Sequence, residues 1–291
     1  MKIALALSIG GARALAHIGV LEVLEKNNIK IDCITGTSMG AIIGALYAIN
    51  TSCKNVEKIL KDYIFNVMFS KMNIKKMQDD SKVSSTRNFI RKAKEAVKYG
   101  SQENNSFISN SMFEEMIDTI LPNINIEDTK IPFACVATDI TNGKEKVFTK
   151  DAIRKRVLAS ASLPGIFPPV NIDNVYYVDG AYVNVTPITT TKIFKPDFVI
   201  ASDVIGELKI LEAIPTNSKS IINRCNSISN HLFYKELTKD VDILIKPNIK
   251  QTSWTEFNKF DLMVFEGKKA TENKIKEIKQ KLNNIIYKLP K

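Results

Sequence analysis

Apolar and polar residues in the first fifty positions follow two alternating periods. Residues 2–7 ("KIALAL") form a short apolar run before a pair of glycines, which predicts a buried strand. Residues 12–27 carry apolar side chains at helical spacing, which predicts a helix. The order then repeats, because residues 31–37 predict a second strand and residues 39–50 a second helix. Strand, glycine turn and helix, twice in succession, indicate a parallel sheet with right-handed crossovers.

Apolar runs later in the chain predict further strands of the same sheet. Three of these runs predict buried strands, at residues 133–140, 197–205 and 241–247. Two shorter strands are predicted at residues 144–149 and 174–180. No internal repeat or low-complexity linker divides the chain. We therefore predict one α/β domain over residues 1–291, with a motif-bearing core at 3–205. The C-terminal part, residues 206–291, is expected to pack on the same domain.

Composition limits the class of protein. Hydrophobic residues make up 44% and charged residues 25% of the 291 positions, as in soluble globular proteins, and no apolar run approaches eighteen residues. The N-terminal apolar run resembles a signal peptide, but Gly10-Gly11 and Arg13 interrupt it, which favours a strand and a helix. Four scattered cysteines and two histidines show no metal-ligand spacing. We expect a cytoplasmic protein with reduced thiols and no metal.

Positive charge is concentrated in two segments. The net charge is +10, and residues 71–98 hold nine Lys or Arg against three Asp or Glu. Residues 268–291 hold eight Lys against two Glu. The excess suggests an anionic partner surface, although a lysine-rich solvated face would give the same pattern. No nucleic-acid motif accompanies the charge, which favours an anionic membrane over nucleic acid. Residues 87–99 ("RNFIRKAKEAVKY") are compatible with an interfacial helix or with a helix packed on the domain.

A serine lies between the second predicted strand and the second predicted helix. Gly36-Thr37-Ser38-Met39-Gly40 has the Gly-x-Ser-x-Gly spacing of a nucleophile elbow, in the strand–turn–helix context that an elbow requires. The start of a helix also favours developing negative charge there. The alternative is a turn capped by a small hydroxyl. The context favours Ser38 as a nucleophile.

The glycine turn after the first strand is suited to binding an oxyanion. In "SIGGARA", adjacent glycines leave backbone N–H groups uncovered, as in an oxyanion hole or a phosphate cradle. A dinucleotide site is the competing interpretation. Its three-glycine fingerprint is incomplete, and no acidic residue closes a suitable second strand.

A nucleophilic serine needs a base, and the histidines are weak candidates. His17 lies among apolar residues of the first predicted helix, which is typical of a packed histidine, and His231 lies in a polar segment without a motif. Asp179 is the stronger candidate, because it ends a predicted strand and precedes Gly180 in a turn. An ordinary turn-forming Asp-Gly would have the same pattern.

These motifs, taken together, resemble those of the patatin-like phospholipases. The family's oxyanion loop corresponds to residues 9–14 ("IGGARA"), its elbow to residues 36–40 and its Asp-Gly-Ala motif to residues 179–181. "ATDITNG", "ASASLPGIFPPV" and "FDLMVFEGKKA" are also similar to family sequences. The resemblance implies a three-layer α/β/α fold with a mainly parallel central sheet. It also implies hydrolysis of lipid acyl esters by a Ser38–Asp179 dyad, without a histidine or a cofactor.

The resemblance also implies roles for the glycine turn. The backbone N–H groups of Gly10, Gly11 and Ala12, with Met39 as a further donor, would bind the oxyanion. Arg13 would either contact a lipid headgroup or order the loop. The family usually has glycine where Ile9 and Ala14 stand, and a β-branched residue at position 9 resists positive φ. A catalytically weak lipid-binding or regulatory protein on the same fold is therefore the alternative.

Overall fold

The fold is built on one eight-stranded sheet. The computed structural model describes residues 1–64, 110–206, 208, 210–211, 214–239, 241–249 and 252–286. The strands are β1 Ile3–Leu7, β2 Cys33–Thr37, β3 Phe133–Asp139, β4 Lys144–Phe148, β5 Val170–Ile172, β6 Val175–Asp179, β7 Phe198–Ser202 and β8 Ile243–Ile245. The helices within the described residues are α1 Ala16–Lys26, α2 Met39–Asn50, α3 Cys53–Tyr63, α4 Asn110–Ile120, α5 Ile153–Ser160, α6 Ser218–Leu237 and α7 Phe260–Ile286.

The sheet is mixed, with a parallel centre. The strand order is β5-β6-β3-β2-β1-β7-β8, and β4 also pairs with β3. Strands β3, β2, β1, β7 and β8 are parallel, whereas β4, β5 and β6 run antiparallel to their neighbours. The predicted α/β class is confirmed, with helices flanking a mostly parallel sheet. The antiparallel part follows from short connections, because a hairpin loop cannot make the long crossover that a parallel pair needs.

Helices and a 3₁₀ segment cover the two faces of the sheet. Leu5 and Leu7 of β1 belong to the main core together with apolar residues of α1, α2 and α3. Ala6 of β1 points to the other face and packs with Ile188, which precedes the 3₁₀ segment Thr189–Phe194. At the C-terminus, α7 packs on α1, and Lys268 forms an ion pair with Glu22 at 2.7 Å. The C-terminal part thus shares the core of the N-terminal elements.

Several predicted elements differ from those observed. The helix predicted over residues 12–27 begins as a 3₁₀ turn, Gly11–Leu15, and becomes α-helical only in α1. Strands predicted over 197–205 and 241–247 are shortened to β7 and β8. The predicted interfacial helix at 87–99 and the basic segment at 71–98 lie outside the described residues. Much of the other basic segment lies in α7, where Lys274 and Lys281 pair with Glu277.

Candidate active site

The candidate site lies at one edge of the sheet, where the parallel strands end. Leu7 of β1 is in register with Gly36 of β2, so the residues that follow these strands are neighbours. The loop at residues 8–11 follows β1, and Ser38 follows β2. The carboxyl edge of a parallel sheet is where α/β proteins usually place their ligand sites.

Ser38 adopts a strained backbone conformation between β2 and α2. Its φ is 56° and its ψ is −126°, a region that residues other than glycine rarely occupy. A Cβ on Gly40 would lie 2.4 Å from the Leu7 carbonyl oxygen, so only glycine lets α2 begin this close to β1. The Ser38 N–H donates to the Ser160 hydroxyl at 3.1 Å, and that hydroxyl donates to the Val136 carbonyl at 2.6 Å. These contacts hold the predicted nucleophile in a sharp turn.

Asp179 contacts the Ser38 side chain directly. The Ser38 hydroxyl donates a hydrogen bond to the Asp179 carboxylate, which also accepts the Ala181 N–H at 2.8 Å. The side chain is buried, and burial raises the pKa of Asp179 to about 6, although both hydrogen bonds lower it. A Cβ on Gly180 would lie 2.4 Å from the Val136 carbonyl oxygen, so the glycine after Asp179 allows β6 to end close to the elbow.

The glycine turn after β1 is anchored at its base and leaves backbone donors uncovered. Ser8 N–H donates to the Ser202 carbonyl at 3.1 Å, and Ile9 N–H donates to the Val185 carbonyl at 2.9 Å. Within the described residues, the N–H groups of Gly10, Gly11 and Met39 have no hydrogen-bond acceptor. Uncovered donors beside a nucleophile can bind a developing oxyanion.

Ala12 does not fit the role that the family resemblance implies for it. Its N–H donates to the Trp254 carbonyl at 2.7 Å, so this donor is already occupied. We therefore leave Ala12 out of the proposed oxyanion hole. The left-handed conformation falls on Gly11, with a φ of +54°, and Ile9 is absent from the positive-φ residues of the described chain. The β-branched side chain at position 9 is thus accommodated without strain.

Arg13 joins the glycine turn to the C-terminal part of the chain. Its Nε donates to the Thr252 carbonyl at 2.7 Å. Burial lowers the pKa of Arg13, and the nearby Glu256 carboxylate raises it. These contacts favour the loop-ordering role over the headgroup role, which stays a prediction.

Neither histidine contacts the predicted dyad. The Nε2–H of His17 donates to the Ser8 carbonyl at 2.9 Å, and Nδ1 lies 2.7 Å from the Ser202 hydroxyl. A carbonyl can only accept, so Nε2 carries a proton, and in the neutral ring Nδ1 then accepts from the Ser202 hydroxyl. Burial lowers the pKa of His17 to about 4. His17 is therefore a packed residue, as the sequence indicates, and it braces the base of the glycine turn. His231 lies in α6, where its ring approaches Tyr234.

Two residues that support the site, Ser160 and Trp254, are not predicted by the motifs. Ser160 supports the Ser38 turn, and the Trp254 carbonyl supports Ala12. The sequence signal for Ser160 is its place within the family-like "ASASLPGIFPPV". Trp254 is the single tryptophan of the chain and has no motif around it. Trp254 contributes to the site through its contact with Ala12, which lies more than two hundred residues away in the sequence.

The Ser38 hydroxyl and the buried Asp179 carboxylate thus lie together at the carboxyl edge of the α/β sheet, in a strand–turn–helix junction with the sequence pattern of a nucleophile elbow. The family model described as patatin-like phospholipase matches residues 5–192, and the chain belongs to this family. Lysophospholipase NTE1 of Debaryomyces hansenii is 28% identical over 299 residues, covering 94% of this chain and 18% of the relative. Patatin-like phospholipase domain-containing protein 7 of Rattus norvegicus is 32% identical over 204 residues, covering 69% and 13%.

Among solved structures, VipD from Legionella pneumophila is similar over 94% of this chain and 66% of that one, with a TM-score of 0.49 and 15% identity. The chain spans less than a fifth of the length of the two curated relatives above. None of the helices in the described part of the chain combines the length and hydropathy that crossing a membrane requires.

Proposed function

We propose that the chain is a serine lipid acyl hydrolase that cleaves fatty-acyl esters through a Ser38–Asp179 dyad. The observation that carries the proposal is the hydrogen bond from the Ser38 hydroxyl to the buried Asp179 carboxylate. Ser38 makes this contact from a sharp turn in which its backbone has a positive φ. Membership of the patatin-like phospholipase family supports the same assignment. The nucleophile and its base are in direct contact, so no histidine is needed between them.

In the acylation step, Asp179 accepts the Ser38 hydroxyl proton while the serine oxygen attacks the ester carbonyl carbon. The carbonyl oxygen becomes an oxyanion, to which the N–H groups of Gly10, Gly11 and Met39 donate. Collapse of the tetrahedral intermediate breaks the bond to the alcohol oxygen of the lipid. Asp179 returns its proton to that oxygen, and the fatty-acyl group stays on Ser38 as an ester.

In the deacylation step, Asp179 takes a proton from a water molecule that attacks the acyl-serine carbonyl. Collapse of the second tetrahedral intermediate breaks the bond to the serine oxygen, Asp179 returns its proton to that oxygen, and the fatty acid is released. A carboxylate with its pKa near 6 suits both tasks, because it is ionised at neutral pH and is a stronger base than an exposed carboxylate.

We further propose phospholipids or lysophospholipids as the substrates. The Debaryomyces hansenii relative is named a lysophospholipase, and the Rattus norvegicus relative is named a patatin-like phospholipase domain-containing protein. The net charge of +10 supports action as a peripheral protein on an anionic membrane surface, reached from the cytoplasm.

The test combines a fluorophosphonate probe with hydrolysis of a panel of phospholipids, lysophospholipids and glycerides. We expect the wild-type chain to be labelled and to release fatty acid. The Ser38→Ala variant should lose both properties while keeping its melting temperature, because alanine fits the turn. Ser229→Ala, at an exposed position on α6, is the matched serine control and should behave as wild type.

Retained activity in a pure Ser38→Ala preparation would contradict the dyad. A wild-type chain that binds lipid vesicles but is neither labelled nor active would favour the alternative, a catalytically weak lipid-binding protein.

A further inference from the structure

Exposed apolar side chains are concentrated in one part of the described chain. Eight of the fifteen large exposed hydrophobic residues lie between positions 210 and 233: Ile210, Leu211, Ile214, Ile221, Ile222, Ile228, Leu232 and Phe233. Five of them belong to α6. Single exposed apolar residues are ordinary, but a concentration of this kind marks an interaction surface.

Four of the α6 residues form a continuous stripe. Ile221, Cys225, Ile228 and Leu232 follow the spacing i, i+4, i+7 and i+11, so they share one face of the helix, and all four are exposed. We call this stripe the α6 apolar face. The Leu232 side chain on this face is 61% exposed to solvent.

The opposite side of α6 attaches the helix to the edge of the sheet that carries the site. Tyr234 is the buried residue among the described α6 side chains, and its hydroxyl donates to the Asp203 carboxylate. Two residues along a helix are about 200° apart, so Leu232 points away from the body when Tyr234 points into it. Asp203 directly follows β7, which is parallel to β1 and ends at the edge where Ser38 lies.

Positive charges line one side of the stripe. Arg224 and Lys235 lie on α6, and the acidic residue of the helix, Glu236, forms an ion pair with Lys239. Arg224 and Lys235 flank the α6 apolar face on one side, four positions before Ile228 and three after Leu232. An apolar stripe bordered by cationic side chains is typical of a helix that lies in a membrane interface.

We infer that the α6 apolar face seats the protein on an anionic phospholipid bilayer, an inference that rests on the proposed lipid-hydrolase function. The bilayer supplies hydrocarbon for the stripe and negative headgroups for Arg224 and Lys235. A second copy of the chain fits less well, because an antiparallel two-fold contact across the stripe would bring the cationic sides of both copies together. Docking through α6 also brings the carboxyl edge of the sheet, and with it Ser38, to the membrane that holds the substrate.

The chain contains its own reporter for this contact. Among its four cysteines, Cys225 on the α6 apolar face is exposed, whereas Cys33, Cys53 and Cys135 are buried. An environment-sensitive fluorophore on Cys225 of the full chain should shift its emission to the blue when phosphatidylcholine vesicles containing phosphatidylserine are added. Pure phosphatidylcholine vesicles should give a weaker response, and added salt should reduce the difference.

A matched pair of variants tests which surface makes the contact. Ile228→Ser/Leu232→Ser removes two exposed apolar side chains from the α6 apolar face, and Leu262→Ser/Phe265→Ser removes two of similar exposure from α7. The first variant should lose about tenfold in vesicle affinity by co-sedimentation, and the second should bind as wild type. Both should hydrolyse a water-soluble monomeric ester at the wild-type rate.

The outcomes separate this inference from the proposed function. Equal vesicle binding by the α6 variant and wild type, or a label that stays in a watery environment on bound vesicles, would overturn the α6 assignment. So would a protein dimer that the same α6 substitutions dissociate, because the second copy would then be the occupant. A wild-type chain that binds vesicles through α6 but cleaves no ester would instead refute the hydrolase and leave the docking surface standing.

Discussion

Replacing Asp179 by Asn should stabilise the folded protein at neutral pH while it removes the activity. Burial raises the pKa of Asp179 from 3.8 to about 6, so the ionised carboxylate is less favourable in the folded protein than in the unfolded chain. A difference of about two pKa units corresponds to about 3 kcal/mol. Asparagine has nearly the same shape and carries no charge, so the variant should recover most of this free energy.

The gain should depend on pH in a defined direction. Between pH 3.8 and about 6 the folded protein holds its Asp179 proton and the unfolded chain has lost it. The contribution of Asp179 to the free energy of unfolding therefore falls as pH rises through this range, and it is constant above it. The variant should match wild type at about pH 4 and exceed it fully above the folded pKa. In a domain of this size, 3 kcal/mol is roughly 6 °C in melting temperature.

The assay is a set of thermal melts for both proteins across this pH range, with ester hydrolysis measured on the same samples. Activity of Asp179→Asn should fall by about 10²–10⁴-fold, the usual cost of losing a catalytic base. A variant that melts at or below wild type at neutral pH would show that Asp179 is not a desolvated carboxylate. A folded variant that retains full activity would show that Asp179 is not the base.

Asp139 offers a matched control with the opposite sign. It also ends a strand, but its carboxylate accepts the Thr141 N–H at 3.1 Å and the Asn142 N–H at 2.8 Å. Burial would raise the pKa of Asp139, and hydrogen bonds from Asn142 and Thr141 outweigh burial and lower it. The ionised form is therefore stabilising, and its contribution is lost on acidification. Asp139→Asn should lower the melting temperature at neutral pH, whereas Asp179→Asn should raise it.

Three further predictions follow from the same contacts. The value of kcat/KM on a monomeric ester should rise with pH with a midpoint near 6, because Asp179 must be ionised to act; a flat profile over pH 5–7 would contradict this. His17→Gln should be less stable than wild type at neutral pH, and the gap should narrow on acidification. Below the usual pKa of histidine the unfolded chain gains a proton on His17 that the folded protein does not, so the wild type loses up to about 3 kcal/mol of unfolding free energy on acidification. Thermal melts at two pH values test this. Gly40→Ala should abolish probe labelling and lower the melting temperature, because its Cβ would lie 2.4 Å from the Leu7 carbonyl oxygen and 2.5 Å from that of Ser8; normal labelling would refute the packing argument.

Local patterns predicted the elements that hold the nucleophile. Helix α2 spans Met39–Asn50, the bounds that the sequence indicates, because an unbroken apolar run begins directly after the elbow. Local patterns predict the antiparallel strands less well. β5 is only three residues long, and its pairing with β6 depends on a two-residue turn at Asp173 and Asn174, both with positive φ. Such short elements carry too few residues for a hydrophobic period to emerge.

Contacts between distant segments explain why Ala12 does not fit the oxyanion role that the family resemblance implies. The residues of the glycine turn, taken alone, leave every N–H after the glycines available to a ligand. In the folded chain the Trp254 carbonyl takes the Ala12 N–H, and the Thr252 carbonyl takes Arg13 Nε. Both acceptors lie beyond residue 192, where the match to the family model ends. The shape of the proposed oxyanion hole is thus set partly by a C-terminal segment that carries no motif, and only the fold brings that segment to the turn.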